Sequence, residues 1–437
     1  MTAYSRGIAT PASPWQGRHG TAVRLAERGG RFGDAFVFVV PLLLAVQFAV
    51  GGRLFLSEVV LLLALPFLLD DARRRGVSRI SHGVVALGGL WLFGLVATDV
   101  YRGTPLDDYS RGWSKVAFLL LNFAALSLLI DGRWRRVTLF AAGLAAGLTL
   151  QFYFDPGIYA AGDPWKFGFG GAVTLAGVLL ASRPTFNRRP VVATGILVAL
   201  GVVNLRMEFR SLAGICFLAA LMVLLAARSA HLVRLDRRAV RTFAALAVSV
   251  LAGVIIVEAY GYAAGHGLLG GRAQEKYQAQ QSSLGILVGG RPEIIVAARA
   301  IRDSPIVGHG SWAKDPKYAA ALQNELRQAG YRGAIVPLSQ DLIPTHSHLF
   351  GAWVEAGVLG AVFWLWALAL GASVLPRLHR LAGGRVALVA FLGVSFLWDV
   401  LFSPFGAERR LVVPFYLIVL LLARKDILAT SGGREKQ

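Results

Sequence analysis

Two histidines, His346 and His348, stand on either side of a serine where the chain enters a late apolar segment. A neutral imidazole can take a proton from an alcohol near neutral pH, so His346 is a candidate general base. Histidines two positions apart do not share a helical face, and no third ligand is evident nearby, so the pattern indicates a zinc site only weakly. The alternative for each histidine is an ordinary hydrogen-bonding position at the membrane boundary.

Three arginines could bind an anion. Arg291 directly precedes Pro292, a residue that suits the first position of a helix, so its guanidinium lies beside free backbone N–H groups in a candidate phosphate site. Arg206 and Arg210 flank Glu208 in a very short connection between apolar blocks. Charges at a membrane edge are costly unless they are paired or functional. These two arginines therefore bind an anion, extend to lipid headgroups, or pair with Glu208 and fix the connection.

Carboxylates also occur within or near the apolar blocks. Such groups either carry protons or pair with neighbouring cations. The first possibility makes a proton-coupled transporter a competing interpretation, and the second predicts ion pairs with arginines at helix ends. The four residues concerned are Glu58, Glu258, Glu355 and Asp399. The acidic pair Asp107-Asp108 is expected instead to be solvated in an outward loop.

Twelve apolar blocks must position these groups. Hydrophobic residues make up 55% of the 437 and charged residues only 16%, whereas soluble proteins carry about 25% charged residues. Each block is roughly 15 to 28 residues long, close to the length of helix that crosses the hydrocarbon of a bilayer. The blocks are 34–50, 54–69, 83–98, 114–130, 137–153, 167–181, 191–205, 211–227, 240–262, 348–375, 385–402 and 411–423. The connection Gly51-Gly52-Arg53 is expected to form a tight helical hairpin.

Basic residues are concentrated in alternate connections. With both termini placed in the cytoplasm, 27 of the 45 Lys and Arg residues but only 8 of the 25 Asp and Glu residues lie on the cytoplasmic side. This asymmetry follows the positive-inside rule and predicts the orientation. The net charge of +20 therefore reflects topology signals rather than nucleic-acid binding. The single cysteine, Cys216, excludes an intramolecular disulfide and makes a cysteine-based metal site improbable.

The alternation of apolar blocks and polar connections divides the chain into five parts. They are a cytoplasmic tail (1–33), nine transmembrane helices (34–262), an outward loop domain (263–345), three transmembrane helices (346–424) and a second cytoplasmic tail (425–437). A loop of this length is improbable without structure of its own, and helical spacing at 292–302 and 317–328 predicts a small helical cap. Long loops on a rigid scaffold often carry function, so the site is expected where this loop meets the helices.

Short motifs in the loop resemble the O-antigen ligase and polymerase superfamily. Gly290-Arg291 opens a loop helix that ends at the turn Pro305-Ile-Val-Gly308-His-Gly310, similar to the superfamily's Pro-x-x-Gly-x-Gly pattern. Arg210-Ser211 is similar to the Ser-Arg start of a superfamily helix, although Phe209 replaces the usual small residue. Twelve spans with a large loop between the ninth and the tenth are also similar to that architecture.

The helix that returns to the membrane strengthens the resemblance. His346-Ser347, a gap of nine residues, Gly357, two residues and Gly360 fit the ligase signature. Glu355 stands where many members of the superfamily carry a glutamate. The nine-residue gap favours the ligase modestly over the polymerase.

The resemblance implies a GT-C-like membrane glycosyltransferase in a bacterial inner membrane, with its site facing the periplasm. The donor would be a glycan on undecaprenyl diphosphate, and the acceptor would be the lipid A–core oligosaccharide. Arg210 and Arg291 would clamp the diphosphate, and His346 would orient or deprotonate the acceptor hydroxyl. Two arginines could supply the electrostatics that a metal supplies elsewhere, so no metal or cofactor is expected. Residues expected to contact substrate are Arg206, His348 and Glu355.

Three alternatives stay open at this point. An O-antigen or exopolysaccharide polymerase would use the same donor with a second lipid-linked glycan as acceptor, and a protein O-oligosaccharyltransferase would use a protein acceptor. A proton-coupled transporter or flippase of a lipid-linked glycan belongs to a different class. It would depend on the intramembrane carboxylates and would not need His346.

Overall fold

The computed structural model describes residues 32–77, 79–187, 189–229, 258–268, 270–280, 293–328, 342–381 and 384–432. These residues are mostly helical. The helices are α1 (Phe32–Ala45), α2 (Leu56–Arg74), α3 (His82–Arg102), α4 (Leu106–Ile130), α5 (Trp134–Phe154), α6 (Gly157–Gly162), α7 (Trp165–Ala181), α8 (Pro184–Asn187), α9 (Pro190–Arg206), α10 (Arg210–Ser229), α11 (Gly271–Gln280), α12 (Glu293–Asp303), α13 (Pro316–Gln328), α14 (His348–Val374), α15 (Arg385–Phe402) and α16 (Arg409–Gly432). Residues 258–265 are also helical, and a 3-10 turn over Leu375–Arg380 continues α14.

Each apolar block that lies within the described residues is helical over most of its length, because a helix satisfies its own backbone hydrogen bonds where water is absent. Most of the block 240–262 lies outside the described residues. One connection differs from the prediction. Instead of a helical hairpin at Gly51-Gly52-Arg53, the chain forms an antiparallel β hairpin of strands β1 (Gln47–Ala49) and β2 (Arg53–Phe55). Gly51 adopts φ +62°, which favours a strand reversal over continued helix.

Six helices in the described part of the chain are long and apolar enough to cross a membrane: α3, α4, α5, α10, α14 with its 3-10 extension, and α15. Three shorter apolar helices, α1, α7 and α9, accompany them. This is the architecture of an all-α membrane protein. The count of twelve spans stays a prediction.

The helices pack around one large apolar core, in which Trp91, Phe123, Phe363 and Trp364 are among the largest fully buried side chains. Helix α14 packs against α3 and α15, while α4 contacts α2, α3 and α16. Helix α10 packs against α9 and α15. The loop helices α12 and α13 pack against each other, and α12 also contacts α14, so the described part of the loop domain rests on the helix bundle.

Many ion pairs in the described part of the chain join groups that the sequence places on the same side. Arg53 pairs with Glu408 at 2.7 Å, for example, and both belong to predicted outward connections. Arg385 pairs with Asp426 at 2.6 Å, and both belong to predicted cytoplasmic segments. The pairs therefore agree with the alternation of the connections. Which end of the bundle faces the cytoplasm stays a prediction.

The two helices predicted in the loop are present, as α12 and α13. Pro292, the expected first residue of α12, lies outside the described residues. A further helix, α11, follows the short helical segment 258–265. The described parts of the loop domain are therefore helical, whereas its position outside the membrane stays a prediction.

Candidate active site

The segment that returns from the loop into α14 is fixed by Ser347. Its backbone is extended (φ −152°, ψ 139°), and its Oγ accepts a hydrogen bond from the Phe350 N–H at 3.1 Å, so Ser347 caps the helix. The same hydroxyl donates to the carbonyl oxygen of Val400 at 2.8 Å, which ties the start of α14 to the last turn of α15. His346 lies just outside the helix and is half-buried. A candidate base therefore lies on a segment whose backbone is held in place.

His348, the first residue of α14, is fully buried. Its Nδ1 donates to the Ser403 carbonyl oxygen at 2.6 Å, and its ring packs edge-on against Trp364 and Phe405, with centroids 4.9 and 5.2 Å away. Its Nε2 is also buried, without a hydrogen-bond partner among the described residues. His348 thus holds the segment that follows α15 against the start of α14. Its predicted contact with substrate stays a prediction, and in this conformation the side chain has no exposed surface for such a contact.

A break in α14 at Gly357 receives the Pro305–Gly310 turn, whose sequence is Pro-Ile-Val-Gly-His-Gly. Gly357 has φ +60° and ψ −152°, which interrupts the helical ladder. The carbonyl oxygen of Val354, which would otherwise pair with the N–H of Val358, accepts the His309 N–H at 2.7 Å. The Val358 N–H in turn donates to the Ile306 carbonyl oxygen at 3.2 Å. The turn therefore replaces hydrogen bonds that the broken helix loses.

The glycines of both motifs have steric reasons for their positions. A Cβ on Gly357 would lie 1.9 Å from the Ile306 carbonyl oxygen, and one on Gly308 would lie 2.6 Å from the Gly357 nitrogen. A Cβ on Gly360 would lie 2.3 Å from the Ala352 carbonyl oxygen, which the bend of α14 brings close. Gly310, at φ +92°, places its N–H 3.0 Å from the Glu355 carbonyl oxygen. The two sequence motifs are thus halves of one packed contact.

The C-terminal end of α3 holds the other face of the turn. The carboxylate of Asp99 accepts hydrogen bonds from the backbone N–H and the hydroxyl of Ser311, both at 2.6 Å, and from Trp113 Nε1 at 2.7 Å. Arg102 donates through Nη2 to the Gly308 carbonyl oxygen at 2.7 Å and to Ser304 Oγ at 2.9 Å. Neither Asp99 nor Arg102 was identified from the sequence. A polar Thr-Asp pair at the end of the apolar block 83–98 was the available signal.

The loop helices α12 and α13 brace the turn from the far side. His309 Nε2 donates to the Ala300 carbonyl oxygen at 2.8 Å, and its ring packs edge-on against Tyr318. Tyr318 donates to Asp303 at 2.6 Å. This hydrogen bond, together with the nearby ammonium of Lys317, holds the pKa of Asp303 below its ordinary value. The end of α12 and the start of α13 are thereby joined next to the turn.

Two lysines pair with carboxylates where the loop domain meets the helix bundle. Lys115 contacts Glu355 at 2.6 Å, and the two side chains are only 12% and 13% exposed. Glu355, expected to contact substrate, is therefore engaged by a lysine, and its substrate role stays a prediction. Lys314 contacts both oxygens of Asp108 at 2.8 and 2.7 Å. The expectation that Asp108 is solvated was wrong, because the described part of the loop domain covers this carboxylate and supplies its counter-ion.

Arg210, the first residue of α10, lies over the ring of Tyr260, with its guanidinium carbon 4.9 Å from the centroid. Tyr260 also packs edge-on against Tyr277 of α11, at 6.4 Å between centroids. The connection before α10 is tight because Glu208 adopts φ +59°. Arg206, at the end of α9, is exposed. The structure thus gives Arg210 a defined aromatic neighbour and leaves the Arg206 side chain at the surface.

The predicted set of catalytic residues is only partly placed. Arg291 lies outside the described residues. Arg210 begins α10 and His346 immediately precedes the cap of α14, and both of these helices pack against α15. The two candidate residues are therefore carried by elements that share one neighbour.

Two buried carboxylates, Glu58 and Asp399, are paired with arginines. Glu58 is fully buried and contacts Arg410 at 2.8 Å, while the Asn122 amide donates to the Arg410 carbonyl oxygen at 2.9 Å. Asp399 contacts Arg409 at 2.6 Å. The sequence had left both pairing and proton transfer open for these carboxylates, and the geometry is that of pairing.

Within the described residues, no three His, Cys, Asp or Glu side chains converge as they would around a metal ion. The metal independence of the expected reaction stays a prediction. No family model and no curated protein matches the chain.

Proposed function

We propose that this protein is a membrane glycosyltransferase of the O-antigen ligase type. It transfers a glycan from undecaprenyl diphosphate to the lipid A–core oligosaccharide at the periplasmic face of the bacterial inner membrane. The observation that supports this function best is the fit between the Pro305–Gly310 turn and the break at Gly357. Two of the three motifs through which the sequence resembles the superfamily take part in this contact, which gives their glycine spacing a physical purpose.

The proposed reaction is a displacement at the anomeric carbon. The acceptor hydroxyl forms a new bond to this carbon, the bond from the carbon to the diphosphate oxygen breaks, and undecaprenyl diphosphate leaves with the bonding electrons. Arg210 and Arg291 neutralise the charge that develops on the leaving diphosphate. The proton of the acceptor hydroxyl passes to His346. Ser347 supports this role because it holds the backbone beside the base on the last turn of α15.

The paired state of Glu58 and Asp399 favours this assignment over a proton-coupled transporter. A proton carrier must exchange its proton during the cycle, whereas each of these carboxylates has an arginine within 2.8 Å. These pairs are better explained as fixing helix ends.

Complementation of a ligase-deficient Gram-negative strain tests the function, with lipopolysaccharide resolved on gels. The parent chain is expected to restore full-length lipopolysaccharide, and His346→Ala, Arg210→Ala and Arg291→Ala are expected to lose it at equal membrane levels. Two matched controls should behave like the parent. They are His82→Ala, an exposed histidine at the start of α3, and Arg302→Ala, an exposed arginine at the end of α12.

Full complementation by His346→Ala would contradict the proposed mechanism. A second assay supplies the purified protein with lipid-linked repeat units alone. Chain growth without lipid A would identify a polymerase, whereas the ligase forms product only when the lipid A–core acceptor is added.

A further inference from the structure

An open cleft of about 440 Å³ lies between the helical segment 258–265 and α11. Its lining includes Glu258, Tyr262, His266, Tyr277 and Gln278. The volume falls within the range of small-ligand sites, but the lining is richer in polar groups than that of most such sites. A ligand that fits it must therefore offer many hydrogen-bonding groups of its own.

The lining groups match a neutral ligand that carries hydroxyl groups. Tyr262 is 65% exposed, and its ring lies against the ring of His266, with the centroids 4.2 Å apart. His266 Nδ1 lies 2.8 Å from the Tyr262 carbonyl oxygen, which can only accept, so Nδ1 carries the proton and Nε2 of the neutral ring is an acceptor. The Gln278 amide both donates and accepts, and the Glu258 carboxylate only accepts. Hydroxyl groups satisfy both kinds of partner, and the carboxylate disfavours an anionic ligand.

The cleft is one aromatic ring away from Arg210. Tyr277 lines the cleft and packs against Tyr260, and the guanidinium of Arg210 lies over the Tyr260 ring. The proposed function assigns the diphosphate of the donor to Arg210. The first sugar of that donor is joined directly to the diphosphate, so it must lie next to this arginine. In the part of the chain that the structure describes, the cleft begins at Tyr277, across the Tyr260 ring from Arg210, within reach of the sugars nearest to the diphosphate.

We propose that this cleft is a saccharide-binding subsite that holds the sugars of the donor nearest to the diphosphate. The subsite rests on the proposed function for its link to the donor, but its preference for a polyhydroxylated ring follows from its own lining. Tyr262 packs against the apolar face of a pyranose, and Glu258, His266 and Gln278 bind its hydroxyl groups. These residues contribute binding rather than chemistry, since His346 performs the proton transfer.

The binding test uses the full-length protein in nanodiscs and the reducing oligosaccharide released by mild acid from the lipid-linked donor of the host. Saturation-transfer NMR and calorimetry measure its affinity. Tyr262→Ala and Gln278→Ala are expected to weaken binding at least about tenfold, a loss of about 1.4 kcal/mol. Tyr159→Ala removes a tyrosine that is 72% exposed on α6, outside the cleft, and should bind like the parent.

Transfer kinetics provide a second readout. Contacts that stabilise the ground state and the transition state equally contribute to binding alone, so their loss raises the KM for the donor and leaves kcat unchanged. Both cleft variants are expected to show this pattern. Unchanged affinity in Tyr262→Ala and Gln278→Ala would refute the subsite, as would failure of the parent to bind the oligosaccharide. Competition by sugar-free undecaprenyl diphosphate at the cleft would instead identify a lipid-diphosphate site and would also refute it. Cleft-dependent binding in a parent protein that transfers no glycan would refute the proposed function and leave the saccharide site standing.

Discussion

Replacement of Gly357 by alanine should undock the loop turn from α14. The backbone at this position (φ +60°, ψ −152°) belongs to a region that only glycine adopts readily, and strain there costs about 1–3 kcal/mol. The new Cβ would lie 1.9 Å from the Ile306 carbonyl oxygen, so the turn must move as well. Movement breaks the three backbone hydrogen bonds between turn and helix, which contribute about 0.5–1.5 kcal/mol each. The docked state should therefore lose about 3–7 kcal/mol.

Hydrogen–deuterium exchange measures this loss directly. The amides of His309 and Gly310 donate to α14 in the parent, so their exchange should accelerate at least about a hundredfold in Gly357→Ala. The rate of glycan transfer should also decrease in Gly357→Ala. Gly351→Ala is the matched control in the same helix, because its Cβ would meet its nearest neighbour, Thr345 Oγ1, at an ordinary 3.4 Å. Parent-like protection of His309 and Gly310 in Gly357→Ala would refute this account of the break.

Two further predictions concern charge. Burial alone would raise the pKa of Asp131, yet hydrogen bonds and charge from Arg75, Arg79 and Arg133 hold it below its ordinary value. A lowered pKa stabilises the folded state at pH values above the unfolded pKa of about 3.9, and this stability is lost as the pH falls through the folded pKa. Asp131→Asn should therefore be less stable than the parent by about 2 kcal/mol at neutral pH and approach the stability of the parent in acid. Thermal unfolding at a series of pH values measures this difference. A pH-independent deficit would contradict this. Separately, Glu355→Gln leaves the mostly buried Lys115 without its carboxylate and should cost about 3 kcal/mol. The double variant with Lys115→Met should lose less stability than the sum of the two single variants. Additive losses in this double-mutant cycle would contradict the pairing.

Local features of the chain were accessible from sequence because they depend on neighbours along the chain. The apolar blocks had to form helices, since backbone groups in hydrocarbon need partners within their own segment. Helical spacing in the loop predicted α12 and α13 for a similar reason. The hairpin at Gly51 escaped prediction because hydrophobicity continues through residue 50 while the glycines favour a reversal.

Partners distant in sequence were not accessible. Ser311 is bound by a carboxylate 212 positions earlier, and no local pattern identifies Asp99 as that partner. Asp108 had the composition of a solvated loop and became buried because Lys314 of the loop domain covers it. The sequence did not distinguish the burial of His346 from that of His348, whereas the fold leaves His346 half-buried and encloses His348.

The sequence by itself determined the membrane class and most of the helical segments, and it supplied the candidate residues for the proposed chemistry, because hydrophobicity, charge and side-chain type are properties of each segment alone. Tertiary structure decided how those segments meet. It joined the Pro305–Gly310 turn to the break at Gly357, paired Glu58 and Asp399 with arginines, and opened a polar cleft beside the aromatic stack of Arg210. These contacts arise only when the chain packs and desolvates each polar group against whichever partner the fold brings within reach.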